Sequence, residues 1–192
     1  MAVPEGEQSA REGLFGFLSR RRFLKASLLA GGALLGAGGG GLLLLRGRAP
    51  KVGGLQFLDA HEYQTLKSLV EIMFPRTDAI PIDAESMDLP RAFDEFLTGE
   101  PEHNVKDLKK ALVLIEFGPL VFDRRVSTFS RLDRESRLAH WNAWATSDSL
   151  LRRQVSVAMR KFFNLVFFDH EAVWPFIGYP GPSLLRGRSV RQ

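Results

Sequence analysis

Four histidines and two groups of carboxylates are the residues of this chain best suited to holding a metal or moving a proton. His61, His103, His140 and His170 are far apart in sequence. None falls in the His-Glu-x-x-His spacing that sets two imidazoles on one helical face beside a catalytic Glu. Asp169-His170-Glu171 is the densest local cluster, but successive residues on a helix or turn point apart, which suits one shared metal poorly. A His there equally suits the negative end of a helix dipole. Asp78, Asp83, Glu85 and Asp88 could suggest a calcium loop, but the glycine and closing bidentate Glu of that design are missing, so the stretch reads as a solvated acidic loop. An independent membrane-tethered periplasmic enzyme or binding module would have to work from one of these two groups. With no cysteine, the chain builds no zinc–thiolate site, iron–sulfur cluster, attached c-type haem or thiol nucleophile. It also lacks the glycine-rich motifs of dinucleotide and phosphate sites. The expectation is therefore no catalytic residue, no metal and no cofactor in this chain.

Charge narrows the choice of partner. Of 192 residues, 26 are Lys or Arg and 22 are Asp or Glu, a net charge of +4. Seven of those cations and three of those acids precede residue 50, so the whole excess lies in the first 49 residues and the remainder is balanced. A nucleic-acid protein carries its cations on the folded domain, so that role is disfavoured. Arg152-Arg153 with Arg160-Lys161 predicts one cationic helical face, solvated or turned toward an acidic partner.

Residues 1–49 read as an export leader. Ser19-Arg20-Arg21-Arg22-Phe23-Leu24-Lys25 matches the twin-arginine signal at each defined position (Ser19, Arg20, Arg21, Phe23, Leu24 and Lys25), a signal read by the twin-arginine translocase. Twenty uncharged residues follow, Ala26 to Leu45, diluted by seven glycines. An ordinary membrane span is denser in Leu, Ile and Val, yet twenty residues suffice to cross a bilayer. The leader is expected to send the chain to the periplasm, either removed or kept as an anchor at the inner membrane. The twin-arginine route carries folded, commonly cofactor-loaded proteins, and this chain shows no cofactor motif. It therefore folds too fast for the other route, or it travels with a loaded companion.

The elements of residues 50–192 are helical in period. Asp59-Ala60-His61-Glu62 is a capping box, followed by an apolar stripe at Tyr63, Leu66, Leu69, Val70 and Met73 that Pro75 ends. A helix restarts near Pro90 with Phe93, Phe96 and Leu97 on one side. Val105, Leu108, Leu112 and Ile115 form the next stripe, closed by Gly118-Pro119. A further helix from Asp133 is anchored by Leu138, Trp141 and Trp144. The longest runs from about Ser149 to Phe168, with Leu151, Val155, Ala158, Phe162 and Leu165 on one apolar face. No period-two stretch is long enough for a strand. The fold class is all-α, a small helical bundle with a long acidic loop and a non-helical C-terminal tail. That tail, Trp174-Pro175-Phe176-Ile177-Gly178-Tyr179-Pro180-Gly181-Pro182, sets four large apolar side chains among prolines and glycines. It either folds back on its own bundle or forms an arm that docks into a partner, and the two can coexist. Trp174, Phe176, Ile177, Gly178, Tyr179, Pro180 and Gly181 are the candidate interface.

Three features together resemble the gluconate 2-dehydrogenase subunit 3 family. They are the twin-arginine leader; Leu58-Asp59-Ala60-His61-Glu62-Tyr63-Gln64-Thr65-Leu66 running into Ile72-Met73-Phe74-Pro75-Arg76-Thr77-Asp78; and the closing Trp174-Pro175-Phe176-Ile177-Gly178-Tyr179-Pro180-Gly181. The likeness covers residues 55–182. It implies a non-catalytic small subunit without a cofactor of its own, which stabilises a large FAD-bearing dehydrogenase subunit of the glucose–methanol–choline type and supplies the export signal for both. In such complexes the large flavoprotein oxidises an alcohol, sugar or sugar acid, and a multihaem cytochrome subunit with c-type haem takes the electrons. The sequence departs from the family at Phe168–Val173, where a Tyr-Gly-Gly-Asn stretch is common, so the resemblance does not single out gluconate as the substrate.

Overall fold

A computed structural model describes residues 47–181. The leader motif, Ser19 to Lys25, and Pro182 of the tail lie outside the described residues. Seven α-helices occur in the order α1 (Ala60–Met73), α2 (Leu89–Phe96), α3 (Glu102–Glu116), α4 (Gly118–Phe122), α5 (Arg134–Ala145), α6 (Leu150–Asp169) and α7 (Trp174–Ile177), with no strand among the described residues. The chain is all-α.

The capping box forms. Asp59 accepts from the backbone N–H of His61 and Glu62, both at 2.8 Å, and Glu62 accepts from the N–H of Asp59 at 2.8 Å. These bonds satisfy orphan donors of the first turn. α1 then lies at the centre of the bundle against α2, α3 and α5, while α6 closes the far side against α2 and α5. Leu66 and Leu69 of α1, Phe93 of α2, Leu112 of α3, Trp144 of α5 and Phe163 of α6 are completely buried. Aromatic rings join α2 to α6, with Phe93 4.1 Å from Phe162 and 5.4 Å from Phe163. Such pairs add about 1 kcal/mol each beyond the area they bury.

Two buried carboxylates lock the helices to their connections. Asp94 on α2, 1% exposed, accepts backbone N–H bonds from Gln56 (2.6 Å), Phe57 (2.9 Å) and Leu58 (2.7 Å). It thereby fixes the segment that enters α1. Glu116, at the end of α3, accepts from the hydroxyls of Thr65 (3.0 Å) and Ser130 (2.6 Å) and from the N–H of Ser130 (3.1 Å). Charged acceptors make the stronger class of hydrogen bond, so both are stabilising only as long as every partner stays in place.

Several sequence expectations need correction. The tail is not wholly non-helical: Trp174–Ile177 makes one helical turn, ended by Gly178 at φ 67. Pro175 sits in the first turn, where its missing N–H would have had no helical partner, so it starts the turn instead of breaking it. Gly118-Pro119 likewise opens α4 rather than simply closing α3. Leu138 and Leu165 are not core anchors; they are 39% and 46% exposed. α6 is rolled so that Val155, Met159, Phe162, Phe163, Val166 and Phe167 face inward, which leaves Leu165 outside. The acidic loop contains a 3-10 turn, Ala84–Met87, capped by Asp83. Among the described residues, no helix is long and apolar enough to cross a membrane.

Candidate functional site

Asp83, Asp88 and His170, from the polar clusters singled out in the sequence, are engaged in local hydrogen bonds. Asp83 accepts from the N–H of Glu85 at 3.0 Å. Asp88 accepts from the Tyr63 hydroxyl at 2.6 Å and from Arg91 Nε at 2.9 Å. Burial works against the charge on Asp88, but the bonds from Tyr63 and Arg91 outweigh it and hold the carboxyl below its usual range. The Tyr63 hydroxyl is pushed up to about 12, by burial first and by Asp88 second. His170 caps α6, and its Nδ1 accepts from the N–H of Ala172 at 3.2 Å. Among the described residues no group of three or more His, Asp and Glu is placed to hold a metal ion. The four cations expected on one face of α6 do not make a single face. Arg152 lies 4.7 Å from the centre of the Phe122 ring and Arg160 lies 5.5 Å from that of Trp141. Arg153 donates to the Ser147 carbonyl, and Lys161 stands at the edge of a separate groove.

An Asp–His couple that sequence spacing did not reveal lies between α4 and α5. His140 Nδ1 is 2.5 Å from Asp123 Oδ2, and His140 Nε2 is 3.0 Å from Trp144 Nε1. An indole N–H can only donate, so Nε2 must accept, which places the imidazole proton on Nδ1 facing Asp123. Both ring nitrogens of the neutral form are thus used, and Nε2 is closed to a substrate. The site is tight: a Cβ on Gly118 would lie 2.8 Å from His140 Nε2 and 2.9 Å from the Trp144 ring.

Burial moves the His140 pKa below its ordinary 6.5, against the pull of Asp123 and aided by Arg152 and Arg125. Between 6.5 and the lower folded value, the unfolded chain takes up a proton that the folded chain refuses. Acidification through that window therefore favours unfolding, and the stabilisation is complete only above about pH 6.5. The expected result is a melting temperature that falls between about pH 7 and pH 5, with His140→Asn flattening that part of the profile. An unchanged profile in the variant would show that His140 is not the titrating group.

The feature that could serve a partner is an apolar groove of about 750 Å³ between the second half of α6 and the tail. Lys161, Leu165, Phe168 and Asp169 line one wall, and Ile177 and Tyr179 the other. Leu165, Phe168, Ile177 and Tyr179 are each more than two-fifths exposed, an unusual concentration for a surface facing water.

The tail wall is built by its own sequence. Trp174 Nε1 donates to the Phe168 carbonyl at 3.2 Å, and the Trp174 and Tyr179 rings meet edge to face at 5.3 Å. Gly181, at φ 82, packs so closely that a Cβ would lie 3.1 Å from the Trp174 ring. The tail therefore folds back on α6 and also presents an outer face. Of the seven interface residues expected from sequence, Ile177, Gly178 and Tyr179 line the groove. Trp174 and Gly181 brace it, while Phe176 and Pro180 are exposed beside it. Leu165 and Phe168 are the groove residues that sequence reasoning missed. The only signal for Phe168 was its place in a run of aromatics, which reads equally as core. No family model, no curated protein and no solved structure matches this chain.

Proposed function

We propose that the chain is a non-catalytic small subunit that stabilises a large FAD-dependent dehydrogenase and escorts it through twin-arginine export to the periplasm. The large subunit oxidises an alcohol, sugar or sugar acid and passes electrons to a cytochrome subunit with c-type haem. Residues 1–49 serve as signal, or as an anchor at the inner membrane. The observation that carries this reading is the groove. Four large apolar side chains are held open to water by the very tail that resembles the family's closing motif. A buried interface centred on such anchors is how one chain stabilises another.

The test is purification of the tagged chain from its native host. The expected product is a yellow complex containing a chain several times larger. Leu165→Asp is expected to weaken that association about 30-fold, the effect of losing a central contact of about 2 kcal/mol. Its melting temperature should hardly move, because Leu165 is 46% exposed. A colourless protein that turns over a substrate alone would overturn the proposal.

A further inference from the structure

We propose that the free chain pairs with a second copy of itself through the groove, α6 against α6, antiparallel, about a two-fold axis at Leu165. The inference concerns the chain before any partner is present and does not depend on the escort reading. One groove holds one occupant, so partner binding displaces the second copy.

Charge and spacing favour this occupant. Lys161 and Asp169 lie at the two ends of the α6 wall, and Leu165 is the midpoint between them. Eight residues of helix span about 12 Å. In a two-fold contact, any pairing of one residue with another occurs twice. An antiparallel partner centred on Leu165 therefore sets Leu165 against Leu165, and Lys161 against Asp169 of the second copy at both ends. Phe168 then lies beside the aliphatic stem of Lys161 of the second copy, and Asn164, next to the axis, supplies a polar contact of the kind that fixes register.

Asp169 gives an independent reason. It is the last residue of α6, where the negative end of the helix dipole disfavours an anion, and its carboxylate has no ion pair among the described residues. A lysine arriving from a second copy offsets both charges.

The experiment uses the full chain, held in the cytoplasm of a translocase-deficient host that makes no large flavoprotein, then purified and sedimented over a range of concentrations. The wild type is expected to be a dimer. Lys161→Asp or Asp169→Lys alone creates two like-charge pairs and is expected to raise the dissociation constant about tenfold or more. The double variant Lys161→Asp with Asp169→Lys exchanges the charges and is expected to restore the dimer. A monomer throughout, a dimer indifferent to the single reversals, or a double variant no better than the singles would each overturn the pairing. Both positions are exposed, and an unchanged helical circular dichroism signal verifies that the variants fold. A distinct large partner in the same groove would gain nothing from the double reversal, so recovery of the yellow complex tests the escort reading separately.

Discussion

Asp94→Ala is expected to cost about 4 kcal/mol of folding stability, a large share of what a domain of this size possesses. The carboxylate is 1% exposed and receives three consecutive backbone N–H groups, those of Gln56, Phe57 and Leu58. Each bond to a charged acceptor contributes about 1.5–3 kcal/mol, and alanine leaves donors stranded where water reaches them poorly. Asp94→Asn keeps the shape but turns an amide toward one of the donors, so about half that loss is expected. Urea unfolding measures both, with the midpoint falling and the slope preserved. A loss below about 1 kcal/mol for the alanine variant would mean that the segment is held by Leu58 packing rather than by the carboxylate.

The second large effect is on transport. Under the proposed twin-arginine export, changing Arg20 and Arg21 together to lysine is expected to abolish export of this chain almost completely, because such a signal is read by a receptor and arginine and lysine differ in more than charge. Under the escort proposal the large flavoprotein must accumulate in the cytoplasm to the same extent, although its own sequence is unaltered. Cell fractionation with flavin absorbance measures it. Normal periplasmic delivery of the dehydrogenase from a cell carrying the lysine pair would remove the basis for the escort.

How much could be read beforehand depended on whether the cause was local. The Asp59–Glu62 box and the stripes of α1 and α3 were legible because their bonds and spacings lie within a turn or two of sequence. Leu165 was misplaced for a related reason: its period fits the apolar side of α6, but which side faces inward is set by Phe93 and Phe74, distant in sequence. The tail's helical turn was missed because proline was weighed as a breaker without regard to its position in the turn. The bonds of Asp94, Glu116 and the Asp123–His140 couple could not have been found, since their partners are brought together only by the finished bundle, whereas His140 and Trp144 are four residues apart on α5 and their contact is local. The groove inherits this limit. Its tail residues were named from sequence, whereas its helical wall follows from the roll of α6.

The convergence of three main-chain donors on Asp94 also has a mechanical side. A pull on the chain from the N-terminal side of residue 53 first meets the bond from Arg91 to the Gly53 carbonyl and then the bonds of Gln56, Phe57 and Leu58. Arg91 and Asp94 both belong to α2, so the load passes into that helix before it reaches α1.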